Sequence, residues 1–357
     1  MLVRRCLSLV AGLALVVVAL VRREGGGDGD GPSQYDRGER AAVTALQRAS
    51  PEALDRLAEE GSGYDLAFRP RFEEAPTLVC ASELAEACRR LGRLGFEVLD
   101  QEGWTTLARL RDSEDVDIDA WVGPEALLTL GVAASEGDLE LGSAPLADSL
   151  VAAVSRPGPG PSATCRSSAT PLTCLVGAAE RLTVADPGTS AAGAAVVIAL
   201  ARESGGSGPD DLAAAAELLA DAQVTAAPVT ELLAVGAPAG EVALGTDAAV
   251  GAAFGFGRTE DGDEPEPPSV EVRWSRTSDS VPLAVAVDPD DRRSDRIVAL
   301  FRSRAAGFSF EQNGYLALDD TLYVDDDGPL ADRPGAPAPV AAADLEAAHQ
   351  AWQERDR

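Results

Sequence analysis

At 357 residues the chain carries about two domains' worth of sequence, and its 45% hydrophobic and 25% charged residues mark a globular protein. Its 59 acidic and 30 basic residues leave a formal charge of −29, which repels nucleic acid and anionic membrane surfaces, with no clustered basic patch to offset it. Every basic residue is arginine and the single histidine is His349, so lysine phosphate loops, Schiff bases and His-pair zinc sites are excluded, and no cofactor is expected.

Residues 1–23 read as an export or anchoring segment. Arg4 and Arg5 precede an apolar run at 7–21, which Arg22 and Arg23 close. As a helix that run reaches about 22 Å, short of a ~30 Å hydrocarbon core, which suits a signal peptide better than a full span. The best small-residue cleavage site is only Val17-Val18-Ala19, and Cys6 precedes the run, so a cleaved signal and an uncleaved signal-anchor both stand. Either gives an extracellular protein, secreted or anchored at the outer face of the plasma membrane. Four further cysteines fall in two close pairs, Cys80 with Cys88 and Cys165 with Cys174. Behind an export signal they suggest two disulfides, local pairing being the simplest of three connectivities and free buried thiols the alternative.

A Gly/Asp-rich stretch at 24–40 reads as a flexible spacer, and 41–75 as a short helical segment. From 76 the pattern turns α/β. Strands are expected at 77–80, 96–99 and 117–122, each followed by a helix, at 83–91, 104–110 and 124–130. Strands alternating with helices imply a mainly parallel sheet. After a Pro/Gly-rich break at 156–163, a strand at 182–185, a turn at 186–190 and a small-residue helix at 191–201 follow, the helix uniform enough to be buried on most sides. A helix at 210–221, strands at 242–245 and 281–287, and helices at 295–306 and 341–353 complete the series, with acidic loops at 257–269 and 319–340 between them.

The stretch VADPGTSAAGAAVVIALA (184–201) resembles the strand–turn–helix of type II bacterial extracellular solute-binding proteins. IDAWVGP (118–124), APVTELLAVG (227–236) and 281–317 resemble further segments of that family, in its order. The likeness covers about 76–317 and is nearest to the solute-binding-like module that precedes a von Willebrand factor A domain in some actinobacterial membrane proteins; no D-x-S-x-S motif of such a domain follows here. It implies a two-lobed periplasmic-binding-protein-like (type II) α/β fold, each lobe a mainly parallel sheet flanked by helices. Lobe I would span 76–150, lobe II 151–270, a return to lobe I 271–318, and an acidic, Pro/Ala-rich tail with a terminal helix 319–357. It also implies small-ligand binding without catalysis, with an ABC-type permease as a possible partner. A partner-binding envelope module with a degenerate cleft is the alternative. Hydrolysis is disfavoured, since no G-x-S-x-G elbow and no upstream histidine are present.

In open α/β sheets ligands sit beyond the carboxyl ends of strands, where helix N-termini offer free N–H groups. That rule selects Ser82 and Glu83, Asp119 and Trp121, and Thr189 and Ser190 as ligand contacts. Thr230 and Glu231, with Thr246 and Asp247, are placed on the opposite wall. Each has a plainer reading: Thr189 and Ser190 as helix caps, Trp121 as a core aromatic, Asp119 as half of an arginine pair, Glu231 as a helix-start carboxylate. The 325–327 acidic run is read as a solvated loop, and His349 as a surface residue.

Overall fold

In a computed structural model of the chain, the described residues run from 72 to 355, without 73, 92–94, 115, 117, 143–144, 159, 234–239, 255–268, 303–305, 307–309, 311–312, 318–329, 331 and 336–337. The expected signal segment, the spacer and nearly all of the 41–75 segment lie outside them, as do most of both acidic loops.

The chain opens with a strand, β1 (Thr77–Ala81), whose Leu-Val-Cys-Ala run is wholly buried. A short 3₁₀ turn (Ser82–Leu84) leads into helix α1 (Ala85–Leu91). Strand β2 (Glu97–Gln101) and helix α2 (Gly103–Arg111) follow, then β3 (Ala120–Pro124) and α3 (Glu125–Ala134). Pairing of β1 with both β2 and β3 is parallel. Two short strands, β4 (Glu140–Leu141) and β5 (Ala147–Asp148), lie antiparallel to a late strand, β12 (Leu283–Val287), which also pairs antiparallel with β3. A two-residue strand, β13 (Leu316–Ala317), closes this sheet on β5, giving the order β13–β5–β12–β3–β1–β2.

The second sheet is built from the middle of the chain. Its strands are β6 (Val151–Ser155), β7 (Arg181–Ala185), β8 (Gln223–Thr225), β9 (Glu241–Thr246) and β10 (Glu271–Trp274), in the order β10–β6–β9–β7–β8. Around them run α4 (Pro161–Cys165), α5 (Pro171–Ala178), α6 (Ala191–Ser204), α7 (Pro209–Leu218), α8 (Pro228–Leu233) and α9 (Ala248–Phe254). Each sheet is therefore mixed, not mainly parallel as expected. In the second sheet β7 is parallel to β8 and β9, while β6 is antiparallel to β9 and β10. The antiparallel members flank the places where the chain passes from one lobe to the other and back, and such passages reverse direction.

Helix α6 centres the core. Its Val196, Val197, Ile198 and Leu200 are fully buried, each stabilising by about 2 kcal/mol. Gly193 in its first turn allows close approach to the preceding strand, since a Cβ there would lie 2.6 Å from the Asp186 carbonyl carbon. The structure pairs Cys80 with Cys88, and Cys165 with Cys174, the latter joining α4 to α5. Helix α10 (Ser294–Phe301) backs the first sheet, with Ile297, Leu300 and Phe301 buried beside Phe96. The short pair β11 (Asp279–Ser280) and β14 (Ala338–Pro339) precedes the last helix, α11 (Ala342–Arg355). Among the described residues no helix is long and apolar enough to cross a membrane.

Two chain passages connect the lobes side by side. Residues 149–150 carry the chain from β5 to β6, and 275–282 carry it back. Val281 N–H donates to Ser149 O at 2.8 Å, Ser275 N–H donates to Val151 O at 3.1 Å, and Leu150 bridges to Ser280. Asp279 lies fully buried in the return passage and accepts from the Arg202 guanidinium of α6 and from Thr277. This polar crossing is what a hinge between two lobes would turn on.

Candidate ligand-binding cleft

The carboxyl ends of β1 and β7 face each other across the gap between the lobes. Beyond β1, Ser82 is exposed, while Glu83 reaches across so that its carboxylate meets the Ala191 N–H at the start of α6. Beyond β7, Asp186 organises the turn: its carboxylate accepts Gly188 N–H at 2.8 Å and the Thr189 hydroxyl at 3.2 Å. Ser190 caps α6, its Oγ accepting N–H groups of Ala192 at 3.1 Å and Gly193 at 3.3 Å. The capping reading of Ser190 thus holds, and its own O–H proton is not used by those bonds.

Asp247, following β9, sits at the crossing. It is buried, accepts Leu150 N–H at 2.8 Å, the Trp274 indole N–H at 3.2 Å and the Arg333 Nε–H at 2.7 Å. Asp148 sits nearby, buried, with Arg333 at 3.6 Å. Burial raises its carboxyl from 3.8 to about 6, against the pull of Arg333 and with a further push from Asp247. Glu83 behaves alike: burial raises it from 4.5 to about 7, the Ala191 N–H opposing, and its Oε1 has no hydrogen-bond partner. Tyr315, in the segment that returns to lobe I, is raised by burial and, to a smaller extent, by the charges of Glu83 and Asp247. Gly314, at φ +81°, presses on the start of α9 at Ala248 and Ala252, where no side chain fits. The lobes therefore touch along the cleft, and the structure is closed.

Not every expected contact reaches this edge. Asp119 precedes β3, at the opposite end of the parallel strands; it accepts Thr77 N–H at 2.6 Å and pairs with Arg293. Trp121 is fully buried in the core beneath Gly131 of α3, whose absent side chain makes room for the ring. A strand at 117–122 was expected, but which end of it faces the cleft depends on pairing partners far away in sequence. Glu231 is exposed on α8, accepting from Thr225 and, at 3.3 Å, from Gln223, so it ties α8 to β8. Thr230 occupies the same helix.

The structure adds residues that the sequence did not single out. Trp104, at the start of α2, stacks on His349 with ring centroids 3.9 Å apart. His349 Nδ1–H also meets Pro187 O at 3.1 Å, in the turn before α6, so His349 is half-buried between α2 and that turn where a surface residue was expected. Burial lowers its pKa, with Asp186 and Glu346 opposing. Arg333, from the tail, pairs with both Asp247, at 2.7 Å, and Asp148, at 3.6 Å. An open pocket of about 230 Å³ lies elsewhere, along β10, lined by Arg166, Glu271, Arg273, Trp274 and Asp332. Among the described residues no group of three acidic, His or Cys side chains could hold a metal ion.

No protein-family model matches the sequence, and no curated protein matches it. Solved structures do. A periplasmic thiamin binding protein superposes with a TM-score of 0.57 at 14% identity, over 80% of this chain and 98% of that one. Iron-bound HitA from Pseudomonas aeruginosa gives 0.55 at 16% identity, over 79% and 99%. With its two mixed sheets, paired crossings and facing helix starts, the chain has the two-lobed α/β fold of the type II periplasmic solute-binding proteins.

Proposed function

We propose that the protein is an exported solute-binding protein that takes a small molecule between its lobes and releases it unchanged. The observation that carries this reading is Glu83 of lobe I reaching the Ala191 N–H at the start of α6 in lobe II, beside the Asp186–Ser190 turn and over a polar double crossing. Helix N-termini and hydroxyls orient a polar ligand, and rotation at the 149–150 and 275–282 crossings would admit and enclose it. Export is supported by the apolar run at 7–21 and by the two cysteine pairs, and tethering by that run alone. A permease would receive the solute. The likeness to the module ahead of von Willebrand factor A domains rests on the segment order of 76–317.

A thermal-shift screen of the full chain over metabolites, amines and oxyanions tests the reading. One class should raise the melting temperature, and the Ser190→Ala variant should blunt that rise. No stabilisation by any solute, together with capture of a stable envelope partner, would replace the reading with a partner-binding module.

A further inference from the structure

The last helix fastens the two lobes at points that neither crossing reaches. Glu346 of α11 pairs with Arg111 at 2.6 Å, and His349 stacks on Trp104; both partners belong to α2 of lobe I. The helix also holds lobe II: Asp344 pairs with Arg202 of α6 at 2.7 Å, His349 meets Pro187 O, and Trp352 lies against Gly188. Leu345, Ala348 and Trp352 are buried, and the helix packs on α6 and α7 of lobe II and on α3 of lobe I. A single 14-residue helix is thus bound to both bodies that a hinge must separate.

We propose that α11 is an intramolecular clamp that holds the lobes closed, and that the cleft opens when this helix releases Trp104, Arg111 and α3 of lobe I while staying on lobe II. The side of release follows from the chemistry of each seat. On lobe II the helix lies along two helices and buries apolar side chains, which separate only at the cost of exposing that surface. On lobe I the helix meets α3 less extensively than it meets α6 or α7, and its α2 contacts are one ring stack and one ion pair, Arg111 being about half exposed, where water replaces such a pair at little loss. His349 touches both lobes, so opening must break one of its two contacts. The Trp104 stack is the one that parts, because Pro187 belongs to the turn that α11 rides on.

Electron–electron spin distance measurement on the full chain tests the clamp without any ligand. Nitroxides at Asp290→Cys in lobe I and Asp221→Cys in lobe II, both exposed, report lobe separation in a Cys6→Ser background. The parent should give one short distance. Glu346→Arg, which sets two cations together, and His349→Ala should each add a longer population. The paired change Glu346→Arg with Arg111→Glu should remove it again. An unchanged distribution in both single variants would overturn the clamp, as would a longer population that the paired change does not reverse. This readout is independent of solute binding, so an empty ligand screen and a failed clamp are separate results.

Discussion

Glu83 offers the sharpest test of the closed cleft. A carboxylic acid whose pKa is raised on folding binds a proton in the folded state that the unfolded chain has already lost. Stability is therefore full below about pH 4.5, and it declines as pH rises toward 7, where the folded group ionises. At 1.36 kcal/mol per pH unit, that window amounts to a loss of about 3 kcal/mol. Glu83→Gln keeps the size of the side chain and removes the titration. The variant should match the parent at pH 4 and exceed it by up to about 3 kcal/mol at pH 8. Urea unfolding at pH 4, 5.5, 7 and 8 reads this directly from the midpoints. Asp148, raised to about 6, contributes a decline of the same sign in both proteins, so the difference between them isolates Glu83. Parallel stability curves for parent and variant across that range would refute the reasoning, because they would mean that Glu83 is solvated and the lobes are not closed on it.

Three further outcomes follow from the geometry. Ser190→Ala removes the cap of α6 and should cost about 1 kcal/mol in urea unfolding, with ligand-induced stabilisation lost in addition. Gly193→Ala drives a methyl into the strand end at Ala185 and Asp186, where backbone cannot yield; a loss of about 1–3 kcal/mol is expected from thermal melts, and an unchanged melting temperature would disprove the close approach. Replacing Cys165 and Cys174 by serine releases a loop of separation 9, which loop entropy puts at about 2.5 kcal/mol; equal stability of the oxidised parent and this variant in denaturant would count against the pairing.

What could be read in the sequence was what local chemistry determines. The alternation of apolar runs with capped helices located β1, β3, β7 and α6 to within a few residues, and the Asp186–Ser190 turn followed from its own hydrogen-bonding side chains. The two-residue strands β4, β5 and β13 carry no period and exist only because β12 and β5 offer them an edge. The face and end of a strand are decided by its neighbours: Asp119 meets Arg293 across 174 residues, so nothing near it in sequence shows that it sits away from the cleft. The terminal helix was foreseen as a helix, but its polar composition gave no sign that both of its sides would be engaged. Arg111 and Glu346 are 235 residues apart, and His349 looks solvated until Trp104 is brought beneath it.

The acidic balance of the chain has a consequence at the closed interface. Asp148 and Asp247 lie together at the crossing with Arg333 beside both, and Glu83 is desolvated at the start of α6. Ionised, Asp148 and Asp247 would repel each other in a partly dry site, and Glu83 would carry a charge stripped of water. The closed form avoids this by holding protons on Glu83 and Asp148 well above the usual carboxylate range, and by giving Asp247 the arginine and two N–H donors. Rising pH withdraws those protons and favours opening, whereas α11 opposes opening through contacts in which neither Glu83 nor Asp148 takes part. The two influences act on one equilibrium from opposite sides. Breaking the clamp should therefore matter most near and above pH 7, where the protons no longer help: the longer spin distance in Glu346→Arg should grow with pH from 5 to 8, and Glu83→Gln in the same background should flatten that growth. A longer population independent of pH, or one that Glu83→Gln leaves untouched, would show that the carboxylates do not govern closure.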